Sequence, residues 1–289
     1  MQYGRLLDIG RGAVHAQVGR GPLAGLMRSL LRAIIPHRAR FAALLRLGQS
    51  LRWVLAPALK NKIPAQAQPT AWPASNHPRR MLVLDGCAQP ALSPNTNAAA
   101  ARVLDRLGIT LLPAPAAGCC GAVSQHLDAP DEALDYVRRN IDAWWPYIEN
   151  GAEAIVMTAS GCATMVADYG HLLAHDAKYA EKAARVSALM KEISEVIAAE
   201  KSRLRELLSR RPRSAEASKV AFHPPCSLQH GLKMKGRVEP LLQELGFALT
   251  PVADSHLCCG SAGTYSILQP ELSQRLLANK IAALHAGKP

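Results

Sequence analysis

The feature that most constrains this chain is a pair of Cys-Cys-Gly triplets, within "AGCCGAVS" at 117–124 and "HLCCGSAG" at 256–263. Adjacent Cα atoms lie about 3.8 Å apart, short of the usual disulfide range of about 4.4–6.8 Å. Two neighbouring cysteines therefore make poor disulfide partners for each other. Either each pair binds something jointly, or each cysteine pairs with a group elsewhere in the fold.

The spacing around the triplets predicts an internal duplication. The same step of 32 residues separates Cys87 from Cys119 and Cys226 from Cys258. Between each pair of cysteines the sequence predicts a helix, at 95–107 and at about 237–245, and a glycine follows each helix as a C-cap. Two matching intervals are better explained by a repeated unit than by chance.

Each cysteine block also follows a short apolar run that predicts a strand. The runs are "MLVLDG", "ITLLP" and "EAIVMT" in the first half, and "KVAFHPPCS" and "FALTPV" in the second. Parallel strands built from βαβ units bring the loops at their carboxyl ends to one edge of the sheet. The predicted fold is therefore α/β: two tandem repeats with short parallel strands and flanking helices. Its thiols are expected to converge at the sheet edges.

Two further helices are predicted in the first repeat. One opens at Asp128 as N-cap, with Pro130 in its first turn, and runs to Asn150 before Gly151. The other is a charged helix over about 186–209. It leads into the basic, irregular sequence "RRPRSAEASK".

The N-terminal segment carries most of the net charge. The whole chain has a formal charge of +12, and residues 1–62 hold eleven Lys or Arg against one acid, Asp8. Apolar residues recur at helical spacing along 23–35 and again along 41–55, with arginines off the stripes. Three interpretations stay open: the stripes pack on the protein's own core, they dock an acidic partner subunit, or they lie on anionic lipid.

These patterns divide the chain into five parts. Residues 1–62 form a basic amphipathic helical segment, and a proline-rich linker covers 63–80. The first repeat covers 81–208, a short linker 209–218, and the second repeat 219–289, which is incomplete at its C-terminal side.

Composition excludes several classes of protein. Seven cysteines in 289 residues are too few and odd in number for a secreted disulfide scaffold. No secretory signal and no apolar run long enough to span a membrane is recognised. We therefore expect a cytoplasmic protein, in contact at most peripherally with the inner face of the cell membrane. The sequence shows no nucleotide-binding glycine loop and no nucleic-acid motif, so no nucleic-acid partner is expected.

Longer blocks carry a family resemblance. The pattern of one cysteine, about thirty residues and Cys-Cys-Gly resembles the cysteine-rich CCG domain of the heterodisulfide reductases. The blocks "YGRLLDIGR", "GCAQPALSPNTNAAAARVLDRLGI", "SGCATMVADYGHLL", "HPPCSLQHG" and "CCGSAGTYSILQPELS" resemble the glycolate oxidase iron–sulfur subunits. The resemblance implies an electron-transfer subunit that accepts electrons from flavin-containing glycolate oxidase subunits, with FAD on the partner only, and passes them toward quinone.

The sequence departs from the family pattern in two places. That pattern begins with a ferredoxin-like domain carrying two C-x2-C-x2-C-x3-C-P runs, and this sequence contains neither run. It also contains no cysteine block after the second triplet. These departures predict a chain truncated at both ends.

The site hypotheses follow from the donor types. Four thiolates are the usual ligand set of an iron–sulfur cluster or a structural zinc. We expect a [4Fe–4S] cluster, cubane or non-cubane, in the intact protein, with zinc as the alternative metal. Gly121 and Gly260 would offer N–H groups to sulfur, and His223 and His256 would complete a ligand set or donate hydrogen bonds to sulfur. The predicted metal ligands are Cys87, Cys119, Cys120 and Cys162 in a first set, and Cys226, Cys258 and Cys259 in a second.

Two other functions stay open beside electron transfer. One is a scaffold module of such a complex, holding zinc or no metal. The other is a thiol-redox protein of the heterodisulfide reductase kind. No complete catalytic site is expected within this chain.

Overall fold

The computed structural model describes residues 3–56, 60, 63–210 and 218–289. The chain divides into two compact units, the first formed by Met1–Thr158 and Met165–Lys191, the second by Ala159–Thr164 and Glu192–Pro289. Each unit contains a parallel pair of short strands with flanking helices. The α/β fold class is therefore confirmed. The predicted linker 209–218 falls largely outside the described residues.

Among the described residues, three helices precede the first sheet, and the sequence pattern predicts two of them, over 23–35 and 41–55. They are α1 (Tyr3–Val18), α2 (Pro22–Ile34) and α3 (Arg38–Ser50). Proline is the first residue of α2, where its missing N–H costs no hydrogen bond, and Pro36 prevents α2 from continuing. Irregular chain then runs from residue 63 to the first strand.

A four-stranded sheet forms the centre of the first unit. Its strands are β1 (Arg79–Val83), β2 (Ile109–Pro113), β3 (Ile155–Met157) and β4 (Met190–Glu192), in the order β2-β1-β3-β4. Strand β1 is parallel to both β2 and β3, with Leu82 opposite Leu112 and Ile155. The carboxyl ends of these three strands therefore share one edge.

Helices pack against the sheet, and this packing removes their apolar faces from water. They are α4 (Gln89–Leu92), α5 (Asn95–Arg106), α6 (Ala122–His126), α7 (Pro130–Glu149), α8 (Ser160–Ala167), α9 (Tyr169–Leu172) and α10 (Ala180–Leu189). Fully buried side chains from the strands, α5 and α7 make the core, among them Leu82, Leu104, Ile109, Ile141 and Trp144.

The second unit repeats the βαβ arrangement on a smaller scale. Strands β5 (Lys219–Val220) and β6 (Ala248–Leu249) are parallel. A π-helical turn (Ser227–Gly231) and α13 (Val238–Glu244) connect them. The unit also contains α11 (Ile193–Ala199), α12 (Lys201–Ser209), α14 (Tyr265–Leu268) and α15 (Pro270–Ala286).

The structure corrects two local predictions. The single charged helix over 186–209 is wrong: α10 ends at Leu189, β4 intervenes, and α11 and α12 follow. Glu192 starts α11 with a capping box, its carboxylate accepting from Ser194 N at 2.7 Å while Glu195 accepts from Glu192 N at 3.0 Å. Asp128 is not the N-cap of α7, which is Ala129, because its side chain is drawn into ion pairs with Arg20 and Arg28.

Among the described residues, no helix is long and apolar enough to cross a membrane.

Candidate metal centre

The first triplet lies in the loop between β2 and α6, at the sheet edge where β1 also ends. Cys119 and Cys120 are buried, and Cys87, four residues beyond β1, is half-buried. The Cys119 thiol is within hydrogen-bonding reach of the thiols of both Cys87 and Cys120. The parallel register thus brings together three cysteines from two loops.

The environment favours the protonated form of the Cys87 and Cys119 thiols. The Cys119 thiol, as hydrogen-bond partner, raises the pKa of Cys87 far above its ordinary value, and burial adds to the effect. The hydrogen bond with Cys120 raises the pKa of Cys119 to about 12, and burial acts in the same direction. The hydrogen bond with Cys87 lowers this pKa and offsets part of the rise. A metal would have to displace these protons, because the thiolate is the ligand.

Two neutral side chains fix the backbone of the first triplet. Asn140 on α7 donates from Nδ2 to Cys119 O at 2.8 Å and accepts from Gly118 N at 2.9 Å. Tyr169 donates from its hydroxyl to Cys120 O at 2.8 Å. Asn140 also donates to the Tyr169 hydroxyl at 3.0 Å, so the two act as one buried clamp. Both residues are fully buried, which makes these bonds costly to lose.

Gly121 completes the first loop because of its backbone conformation. Its φ is +94°, a region that favours glycine, and a Cβ there would meet Ala133 O at 3.0 Å. The turn aims Gly121 N–H at Cys119 Sγ, at 3.5 Å. The N–H contact with sulfur expected for this glycine is present.

A second polar network holds the strand ends near Cys87. Buried Asn97 accepts from Thr158 Oγ1 at 2.6 Å and from Gln89 Nε2 at 2.7 Å, and donates to Asp85 Oδ1 at 3.1 Å. Asp85 follows β1 and Thr158 follows β3. The network therefore ties together the loops that leave two neighbouring strands.

Cys162 lies in the first turn of α8 and not in a loop. Its segment, Ala159–Thr164, groups with the second unit, where Ser160 Oγ lies 2.7 Å from Ser227 Oγ. Ser227 directly follows Cys226. The membership of Cys162 in the first ligand set stays a prediction.

The second triplet has a similar turn held by different groups. Gly260, with φ +79°, donates from its N–H to Cys258 Sγ at 3.3 Å. Ser273 on α15 donates to Gly260 O at 2.8 Å. Cys258 and Cys259 are half-buried and Cys226 is exposed. This thiol set is thus more accessible than the first.

A buried lysine supports the loop that leads to the second triplet. Lys280 is 3% exposed, and its ammonium donates to Asp254 O at 3.1 Å and Ser255 O at 3.2 Å. No acidic side chain pairs with it within the described ranges. A buried positive charge favours negative charge in its surroundings. The second loop is therefore suited to hold thiolates or an anionic group.

The two histidines predicted beside the second thiol set differ. Both ring nitrogens of His223 are inaccessible to solvent and have no hydrogen-bond partner among the described residues. Its pKa is lowered by burial and then by Lys280, so the neutral ring is favoured. His256 is exposed. His223 is the better candidate to contact a bound group.

Within the described ranges, no three His, Cys, Asp or Glu side chains form a group that could hold a metal ion as they stand. A metal bound at the first set would therefore require the side chains to rearrange.

The side chains that support both loops are not predicted from the sequence. Asn97, Tyr169 and Ser273 lie within the family-like blocks, but nothing in those blocks marks them as supports. Asn140 and Lys280 lie outside the blocks. A polar residue on the apolar face of a predicted helix is the one signal available, and it applies to Asn140 on α7.

Known proteins match this arrangement of loops. The model of the CCG cysteine-rich domain family matches residues 81–167 and 220–289. The glycolate oxidase iron-sulfur subunit of Escherichia coli K12 is 51% identical over 100% of this chain and 70% of its own length. This chain belongs to the family of glycolate oxidase iron–sulfur subunits, in the CCG group.

More distant members of this group cover less of the chain. A probable glycolate oxidase iron-sulfur subunit of Bacillus subtilis 168 is 26% identical over 72% of this chain and 45% of its own length. Lactate utilization protein A of Anoxybacillus flavithermus is 26% identical over 68% of this chain and 79% of its own. The resemblance drawn from the sequence blocks is confirmed.

Proposed function

We propose that this protein is the iron–sulfur subunit of a glycolate-oxidising complex, and that it passes electrons from a flavin-bearing subunit toward quinone. The single observation that carries the proposal is the placement of Cys87, Cys119 and Cys120 in two loops at one sheet edge, with a backbone N–H on the sulfur of Cys119. Family membership adds the chemical class. The E. coli relative is named an iron-sulfur subunit, and its identity of 51% supports the same role here.

The residues present fit an iron–sulfur cluster. The donors are thiols, the ligand type that such clusters require, and each triplet places a glycine N–H against the first sulfur of its pair. In the second unit, the ring nitrogens of His223 have no hydrogen-bond partner among the described residues, and Lys280 carries a buried positive charge. Both groups suit an anionic centre. We propose a [4Fe–4S] cluster on Cys87, Cys119, Cys120 and Cys162, and a second site on Cys226, Cys258 and Cys259.

A bound cluster would supply one-electron transfer at a potential set by hydrogen bonds to sulfur and by solvent exposure. The chain's own residues prepare that environment. Asn140 and Tyr169 hold the carbonyls of Cys119 and Cys120, and Gly121 directs its N–H at Cys119 Sγ. Burial shields the sulfurs of Cys119 and Cys120 from water, whereas Lys280 places positive charge near the second loop.

The chain supplies no hydride-transfer chemistry of its own under this proposal. The oxidation of the hydroxy acid takes place on a partner subunit that carries FAD. Because one relative is named lactate utilization protein A, lactate is the alternative substrate for the whole complex. Turnover of the assembled complex with glycolate and with lactate decides between them.

The decisive experiment measures iron, acid-labile sulfide and zinc per chain after anaerobic purification, with electron paramagnetic resonance on the same sample. We expect about four irons and four sulfides for each occupied site, with a paramagnetic signal that appears on one-electron reduction. Zinc without sulfide would replace the redox proposal by a scaffold role. A protein without metal whose thiols cycle between reduced and oxidised forms would support the thiol-redox alternative.

Substitution of the first triplet tests the ligands. We expect Cys119→Ser and Cys120→Ser each to lose the iron of the first site, because a neutral hydroxyl is a poor replacement for a thiolate. The circular dichroism spectrum should stay unchanged, since serine is close in size. Ser124→Ala, a buried change nearby that leaves the proposed ligands intact, is the control. A fully loaded cluster in either serine variant would contradict the assignment.

Cys162→Ser separates two assignments of that thiol. If Cys162 completes the first set, this variant loses the same iron as Cys119→Ser, and the double variant loses no more than either single one. If Cys162 instead binds metal together with Cys226, as the contact between Ser160 and Ser227 allows, the iron lost in Cys162→Ser adds to the iron lost in Cys119→Ser.

A further inference from the structure

The helix that follows each triplet packs on the triplet's glycine in the same way. A Cβ on Gly121 would meet the carbonyl of Ala133 on α7, and a Cβ on Gly260 would meet the carbonyl of Ser273 on α15. Ala133 and Ser273 therefore occupy equivalent positions in the two repeats. Because of this match, α7 and α15 can be compared residue by residue.

A buried polar side chain follows seven residues later on each helix, but the two differ in charge. Seven residues are about two helical turns, so each side chain lies on the same face as the glycine contact. On α7 it is the neutral Asn140, which donates to Cys119 O at 2.8 Å. On α15 it is Lys280, 3% exposed, whose ammonium donates to Asp254 O at 3.1 Å and Ser255 O at 3.2 Å. The first loop thus meets an amide and the second a positive charge.

The buried lysine lies where the two cysteine loops of the second unit meet. Its acceptor Ser255 precedes Cys258 by three residues, a stretch of chain that spans at most about 11 Å. Ser255 O also accepts from Gln229 Nε2 at 3.2 Å. The same amide nitrogen donates at 2.6 Å to Pro224 O, in the loop that leads to Cys226. The lysine charge is therefore close to both loops.

This charge has no compensating acid within the described ranges. The pKa of His223, in the loop that leads to Cys226, is lowered by burial and then by Lys280, which favours the neutral ring. A buried cation without an acidic partner is stabilised by a bound group of negative charge. An iron–sulfur group held by thiolates has that charge.

Exposure to water acts in the same direction as the lysine. Cys119 and Cys120 of the first set are buried, whereas Cys258 and Cys259 are half-buried and Cys226 is exposed. One-electron reduction adds a negative charge to an iron–sulfur group, and both water and a nearby cation stabilise the added charge. Both features of the second unit therefore favour reduction there.

The first triplet also has a cation near it, but in a different setting. Arg139 Nη2 lies 3.5 Å from Cys119 O. Arg139 is exposed, so water and salt screen its charge, whereas they reach Lys280 much less. The contrast between the two units therefore remains.

We propose that Lys280 gives the second site a higher reduction potential than the first, an inference that rests on the proposed function. An electron shared between the two sites rests mainly at the second. Asn140, at the equivalent position of the first repeat, leaves the first site without a buried charge. The substitution of one buried residue thus gives the duplicated sites different roles in electron transfer.

A redox titration followed by electron paramagnetic resonance tests this order on the full chain, purified anaerobically with its iron. We expect two midpoint potentials in the wild type. Cys258→Ser assigns them, because it should remove the signal of the higher potential and leave the lower one in place. This comparison needs no variant of Lys280.

Two substitutions of Lys280 separate its charge from its hydrogen bonds. Lys280→Gln keeps an N–H donor and Lys280→Met does not, while both remove the charge. We expect each to lower the equilibrium constant for reduction of the second site about tenfold, which is about 59 mV for one electron, and to leave the first site unchanged. Arg275→Gln removes an exposed charge from the same helix and is the control, with an expected change of less than about twofold.

Other outcomes would overturn the inference. Equal potentials at the two sites, or the lower one at the second, would refute the proposed order. A shift in Lys280→Met alone would assign the effect to the hydrogen bonds and not to the charge. A second site without iron, in a wild type whose first site is loaded, would leave the lysine without its anionic partner and refute the proposal as well.

Iron content separates this inference from the proposed function. Iron at both sites with equal potentials would refute the role of Lys280 and leave the iron–sulfur function intact. A chain without iron at either site would refute the proposed function, and this inference with it.

Discussion

Each pair of cysteines is followed by a glycine whose N–H and carbonyl form hydrogen bonds with different partners. In the second triplet, Gly260 N–H contacts Cys258 Sγ while its carbonyl accepts from Ser273 on α15. A Cβ at this position would fall well inside van der Waals distance of the Ser273 carbonyl. Conformation and packing therefore both require glycine here.

Gly246 offers a matched comparison, since its φ is +96° but a Cβ would meet nothing within 4 Å. We expect Gly246→Ala to lower the free energy of unfolding of the second unit by about 1 kcal/mol, from backbone strain alone. Gly260→Ala should cost about 3 kcal/mol or more, because the backbone of α15 must also move. Urea unfolding with hydrogen exchange over 219–289 measures both. Equal losses would show that the contact with α15 does not matter.

The sequence predicts the cysteines and glycines of this site but not their supports. Cysteine spacing and glycine position are local patterns, so Gly121 and Gly260 can be selected by inspection. Asn140 and Tyr169 reach the first triplet from helices that follow it by about twenty and fifty residues. Their role depends on the packing of α7 and α9, which no short pattern encodes.

Among the elements, the segment after α10 departs most from its predicted form. The helix-favouring residues of 186–209 predict a helix where the structure has β4, which joins the edge of the sheet beside β3. The break is fixed by Glu192, which is buried and starts α11 through its capping box. Tertiary pairing outweighs local helix propensity at this point. The helices 95–107 and 128–150, by contrast, are predicted within a few residues because glycine ends both.

Glu192 makes the stability of this junction depend on pH. Burial raises its pKa, against the hydrogen bonds from Ser194, which act in the opposite direction. A raised pKa gives stability that is full below the unfolded value of about 4.3 and is lost as pH rises through the folded value. Glu192→Gln keeps an acceptor for Ser194 but cannot ionise. We expect the variant to gain in free energy of unfolding relative to wild type as pH rises from acidic to neutral.

Urea unfolding at a series of pH values measures this difference. Exposed Glu181→Gln on α10 is the control with which the pH dependence of the Glu192 variant is compared. A parallel change in both variants would show that the effect does not come from Glu192.

At the scale of the molecule, the two repeats are unequal in their cores. The largest fully buried side chains of the described residues, such as Trp144, Tyr169 and Leu82, all belong to the first unit. The second unit buries mainly Val196, Leu204, Leu228, Met234 and Leu241, together with the polar Gln229, Ser273 and Lys280. The equal cysteine spacing predicts the duplication, but it carries no information on this asymmetry.

A thin core predicts that the second unit depends for its stability on the metal proposed to bind there. Ligand binding that occurs in the folded state alone adds directly to stability. We expect removal of iron by chelator and oxidant to raise the rate of proteolysis within 219–289 by about 10-fold or more, with little change in 81–158. Mass spectrometry of the fragments measures both rates. Equal sensitivity of the two units would contradict a stabilising metal in the second.

The exposed leucines of α2, Leu23, Leu26 and Leu30, have a consequence for the living cell. A newly made copy that has not met its partner subunit shows an apolar helix of the kind that chaperones and quality-control proteases recognise. Unassembled copies would be removed while assembled ones persist. The abundance of this chain would then follow the supply of its partner, whatever the rate at which its own message is translated.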